Sequence, residues 1–149
     1  KGALRAAGRD RAGSARAEDA RLAAGVGATA LMISNHGGRQ LDASPAPVTC
    51  LPAIRDAVGD DLELIVDGGI RRGIHILKAL ALGATACSIG RPYLYGLAAG
   101  GQAGVERALS LLRDELLTDC ALLGCNRIRE VGPTHIQRAD EKKGVRDNS

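Results

Sequence analysis

Phenylalanine and tryptophan are absent from this 149-residue sequence, and two tyrosines and one methionine are all that supplement its aliphatic residues. A core without large rings must be built from Ala, Leu, Ile and Val, each of which offers less area to bury. At 45% hydrophobic residues there is still material for one ordinary domain. No run of about 18 apolar residues exists, and the basic amino terminus has no apolar stretch of the secretory kind, so neither a membrane span nor a signal peptide is expected. A cytoplasmic protein, peripheral at most to the inner membrane, is the expectation. Charge of one sign is lacking too: 20 Lys and Arg against 17 Asp and Glu leave a net +3, which gives nucleic acid little to attract. The cysteines Cys50, Cys87, Cys120 and Cys125 form no C-x-x-C pair and have no histidines at zinc-finger spacing. No metal site is therefore expected, and all four read as reduced, mostly buried small hydrophobes.

What is present alternates. Residues 5–17, RAAGRDRAGSARA, carry no bulky apolar side chain and predict an exposed segment, so residues 1–17 are set apart from a body at 18–137. A short helix over 18–24 leads to the apolar run ATALMIS at 28–34. Helical spacing of Leu51, Ile54 and Val58, the strand LELIV at 62–66, a helix over 72–83 and the strand TACSI at 85–89 follow. Val105, Leu109, Leu112, Leu116 and Cys120 then step along one face of a long amphipathic helix ending near Gly124. The charged, aperiodic segment 138–149 is expected to be disordered. Apolar strands separated by helices predict a parallel sheet covered on both faces, hence either an open doubly wound sheet or a (β/α)8 barrel.

Each strand runs directly into glycine and arginine: SNHGGRQ at 34–40, DGGIRRG at 67–73 and IGR at 89–91. In a barrel, active-site residues lie at the carboxyl ends of strands, and a phosphate commonly lodges in the loops after the last two. Gly68 and Gly69 let main-chain amides approach a phosphate, while Arg71 and Arg91 can supply charge-assisted bonds. His36, with an ordinary pKa of about 6.5, can take a proton near neutrality, and Arg39 is suited to a bidentate grip on a carboxylate. Taken singly, these are also what a tight turn and a surface ion pair look like. His75, beside Lys78, reads as a partly exposed helix residue. His135 has no nearby acidic or thiol partner in sequence.

SNHGGRQLD, DGGIRRG and IGRPYLYGLAAGG together resemble the carboxyl-terminal half of the FMN-dependent 2-hydroxy acid oxidases and dehydrogenases, the family of glycolate oxidase and L-lactate dehydrogenase. The first motif is specific to that family, whereas the glycine loops are shared with other FMN and phosphate barrels, isomerases included. The resemblance covers residues 18 to about 136 and implies an α/β fold that is half of a (β/α)8 TIM barrel, incomplete by itself. It implies oxidation of a small 2-hydroxy acid, L-lactate first, with His36 as base and Arg39 on the substrate carboxylate. FMN would be the cofactor, touched by Ser34 and held by Asp67, Gly68, Gly69, Ile70, Arg71, Gly90 and Arg91. Lys1 is similar to the lysine that stabilises negative charge on the reduced flavin. Oxygen, a membrane quinone or a protein carrier would be the electron acceptor, and the full-length protein would be a homo-oligomer. Since the family places further substrate-contacting groups on strands that are not present, little turnover is expected from this chain alone. The competing expectation is a noncatalytic remnant that binds phosphate or FMN, or a half-barrel that needs a partner chain.

Overall fold

A computed structural model of the protein describes residues 16–39 and 43–137. The order of elements is α1 (Ala17–Gly25), β1 (Ala30–Ser34), α2 (Pro47–Val58), β2 (Glu63–Asp67), α3 (Gly73–Ala81), β3 (Ala86–Ser88) and α4 (Arg91–Leu122), with short 3-10 turns at His36–Gly38, Ile128–Glu130 and Pro133–His135. The three strands form one parallel sheet in the order β1-β2-β3. Register pairs Ser34 with Asp67 and Asp67 with Ser88, which brings the three chemically loaded strand ends level. The expected segments 1–15 and 138–149 lie outside the described residues; Arg16 and Ala17 belong with the first helix and its cap rather than with a separate segment.

Burial follows the pleat. Ile33, Leu64 and Val66 turn to one face and pack with Leu51, Ile54 and Ala20 from α2 and α1. On the opposite face Met32, level with Ile65, is 50% exposed, so the described residues cover the sheet on one side only. This differs from the general pattern of a parallel sheet covered on both faces and is in keeping with the expectation of an incomplete barrel. A second cluster, of Leu77 and Ala81 from α3 with Leu116, Cys120, Cys125 and Val131, fixes α4 and the following turns against α3.

Local signals explain the boundaries. Pro47 opens α2 at a position where its missing N–H costs nothing, and Gly59, at φ 52°, closes it. Arg55 then ties the end of α2 to the approaches of β2 and β3, donating from Nε to Gly83 O at 2.9 Å and from Nη1 to Leu62 O at 3.2 Å. The long helix is the main departure from expectation. It begins at Arg91, well before Val105, and breaks at Gly100 and Gly101, the latter at φ 55°. Its two arms fold back so closely that a Cβ at Gly104 would sit 1.9 Å from Gly96 O. Leu112, Leu116 and Cys120 are buried, but Leu109 is 49% exposed, because the fold-back redirects the first turns of the second arm.

Candidate active site at the strand ends

At the end of β1 the chain turns sharply. Asn35 Oδ1 accepts from Gly37 N at 3.0 Å, and His36 adopts φ 52°, a left-handed conformation that a residue with a Cβ takes at a cost. The turn is anchored by Ser34, whose hydroxyl donates to Asp67 Oδ2 at 2.6 Å and accepts from His36 N at 3.1 Å. Ser34 therefore locks β1 to β2 and sets the backbone of the histidine. Asn35, which reading by chemistry alone passed over, shapes this turn; the signal was the Asn-x-Gly spacing of an Asx turn.

At the end of β2, Gly68 at φ 114° and Gly69 at φ 80° carry the chain across the sheet top to the buried Ile70. A Cβ at Gly69 or at Gly90 would meet nothing within 4 Å, so both glycines border open space. At the end of β3, Gly90 caps α4 without any side-chain bond and Pro92 follows in the first turn, leaving the helix amino terminus free of internal anions. Arg91 reaches across this top, its Nη2 within 3.4 Å of where a Cβ of Gly37 would be.

The three strand ends enclose one cavity of about 620 Å³. His36 and Arg39 line it from β1, Asp67 to Arg71 from β2, and Gly90 and Arg91 from β3. Ser34 is not among the lining residues but bonds to Asp67, which is, and Lys1 falls outside the described residues. A second cavity of about 360 Å³ shares Gly68, Gly69 and Arg91 with the first and opens behind them toward His75 and Lys78. The arrangement lines one cavity with an imidazole, three guanidinium groups and the glycine loops, and brings Arg91 close to the turn that carries His36. Such a cavity can hold an organic acid beside an elongated phosphorylated molecule.

The other titratable groups stand apart. Burial pushes the Cys87 thiol up to about 11, which leaves it protonated at neutrality. His135, without a thiol nearby in sequence, gains one in the fold: its Nε2 is 3.4 Å from Cys125 Sγ, ten residues away and brought close by the turns after α4. His75 is half-buried in α3, where Nδ1 accepts from Arg71 N at 3.2 Å. Among the described residues no group of three or more His, Cys, Asp or Glu could hold a metal ion, and no helix is long and apolar enough to cross a membrane.

Comparison with known proteins adds to this geometry. The family model of the FMN-dependent dehydrogenases matches residues 13–138. L-lactate oxidase of Nostoc sp. is 52% identical over 124 residues, covering 83% of this chain and 34% of that protein. Pre-mycofactocin synthase of Mycobacterium tuberculosis is 49% identical over 126 residues, covering 83% of this chain and 31% of its own length. Among solved structures, a flavocytochrome b2 mutant with pyruvate bound is similar with a TM-score of 0.78 at 38% identity, covering 90% of this chain and 39% of that one. The chain thus spans about a third of the length of the curated relatives it matches.

Proposed function

The chain belongs to the FMN-dependent dehydrogenase family, and on that premise we propose that it supplies the base-bearing and phosphate-binding part of an enzyme that oxidises a small L-2-hydroxy acid, L-lactate first, to the 2-oxo acid. The observation that carries the reading is the shared cavity, which His36 and Arg39 line together with the glycine loops, Arg71 and Arg91.

The residues fit FMN. Open space at Gly69 and Gly90, where a side chain would intrude, suits a phosphate seated on main-chain amides, and Arg71 and Arg91 neutralise it. When bound, FMN supplies the acceptor for two electrons. Arg39 grips the substrate carboxylate, and His36 takes the proton that the hydroxy acid gives up. Ser34, by holding His36 N and Asp67 together, positions the base and keeps its proposed contact with the flavin. Lys1 keeps its proposed role of stabilising negative charge beside the cofactor. Preference for a small carboxylate rests on Arg39 lying three residues from the base on one exposed turn. Lactate is favoured because its 2-oxo product, pyruvate, is the molecule bound in the similar flavocytochrome b2 structure.

The uncovered sheet face favours a second reading for the chain taken alone: it binds the phosphate end of FMN without turnover, and further strands complete a barrel over Met32 and Ile65. Two experiments decide. Titration of the chain with FMN is expected to quench flavin fluorescence without dye reduction by L-lactate, and reduction is expected once the remaining strands are supplied in trans. In the completed enzyme, His36→Ala is expected to lower kcat by about 10²- to 10⁴-fold. Oxidation persisting at the wild-type rate in that variant removes His36 as base, and a folded chain that leaves flavin fluorescence unchanged at high micromolar FMN removes autonomous cofactor binding.

A further inference from the structure

Two arginines follow each other at the start of α3, yet only the first lines the cavity. Arg72 turns away and donates from Nε to Glu115 Oε1 at 2.7 Å. The other oxygen of the same carboxylate, Oε2, accepts from Gly73 N at 2.7 Å. Glu115 comes from the second arm of α4 and lines neither cavity. Only a glycine at 73 admits it: a Cβ there would stand 2.3 Å from Leu116 N and 2.5 Å from Glu115 Cβ.

The carboxylate has two consequences for the loop in front of it. It occupies the first amide of α3, so the helix start that would otherwise attract an anion is already neutralised. It also draws Arg72 out of competition, leaving Arg71 as the cation that this loop presents to the cavity. Arg71 N is held in turn by His75 Nδ1, so residues 71, 72 and 73 are each pinned from behind. Glu115 lies on the second arm of α4, beyond the break at Gly100 and Gly101, and braces the α3 side of the cavity from behind. We propose that Glu115 is the positioning residue of the phosphate loop, directing a phosphate away from α3 and onto Gly69, Ile70, Arg71 and the start of α4. This rests on the reading of the cavity as an FMN site.

The test compares wild type with Glu115→Gln, and with Glu106→Gln as a control, since Glu106 bonds only Gln102 on an exposed turn of α4. FMN affinity is measured from pH 7 down to pH 3 on the flavin-binding protein that carries this chain. Glu115→Gln keeps an acceptor for Gly73 N but loses the charge that holds Arg72. It is expected to bind FMN about tenfold more weakly at pH 7, with the ratio to wild type shrinking toward one as the carboxyl protonates. Protonation of the phosphate itself is common to all proteins and cancels in the ratio. Glu106→Gln is expected to bind like wild type. Affinity of Glu115→Gln within twofold of wild type at pH 7, or a deficit that does not change with pH, overturns the proposal. Amide hydrogen exchange at residues 70–73 of the flavin-free protein separates this from a failure of the FMN reading. If no flavin binds, faster exchange at those amides in Glu115→Gln still upholds the brace, and unchanged exchange refutes it.

Discussion

At the scale of single residues, chemistry and position were legible to different extents. His36 and Arg39 stood out as a base and a carboxylate clamp because both residue types follow directly on an apolar strand. The work of Glu115 was hidden, since its partners Arg72 and Gly73 lie 43 and 42 residues away in the chain. His135 met the same limit with Cys125, where a thiol partner existed only after the chain had turned. The Glu115 bonds carry a pH signature. Its side-chain bond to Arg72 comes first, then the Gly73 amide, and together they hold the carboxyl below its ordinary value of 4.5. A depressed carboxyl contributes stability above its unfolded pKa and loses it as pH falls through the lower folded value. Urea midpoints of wild type and Glu115→Gln are therefore expected to differ at pH 7 and to converge as pH falls below that range.

Secondary-structure elements came through well where periodicity had a single meaning. The strands and first three helices fall within a residue or two of their expected ends, because proline and glycine mark those ends. The fourth helix did not, and its glycines carried the missed signal. Gly96, Gly100, Gly101 and Gly104 allow a fold-back with backbone against backbone, in which the apolar stripe of the second arm no longer starts where its period begins. Gly104→Ala should force the arms apart, since its Cβ would overlap Gly96 O. A loss of about 1–3 kcal/mol is expected in chemical unfolding, as for other overpacked sites. A matching Gly101→Ala change leaves open space around its Cβ, but φ 55° with ψ −138° is a conformation that glycine alone adopts readily, and a loss of about 1–3 kcal/mol is expected from the backbone alone.

For the whole molecule, the two faces of the sheet set the terms. Leu64→Ala on the covered face removes a fully buried side chain and is expected to cost about 2–5 kcal/mol. Met32→Lys on the open face is expected to change the stability of the chain alone by about 0.5 kcal/mol at most, yet to prevent productive association with the remaining strands, read as lost dye reduction on complementation. By itself the sequence determined the alternation of strands and helices and the glycine and arginine that follow each strand, because these depend on local pattern and residue type. Only tertiary structure decided that α4 doubles back and that Glu115 reaches the start of α3. Each of those depends on which distant atoms come within contact range, and contact across forty residues leaves no period in a chain of letters.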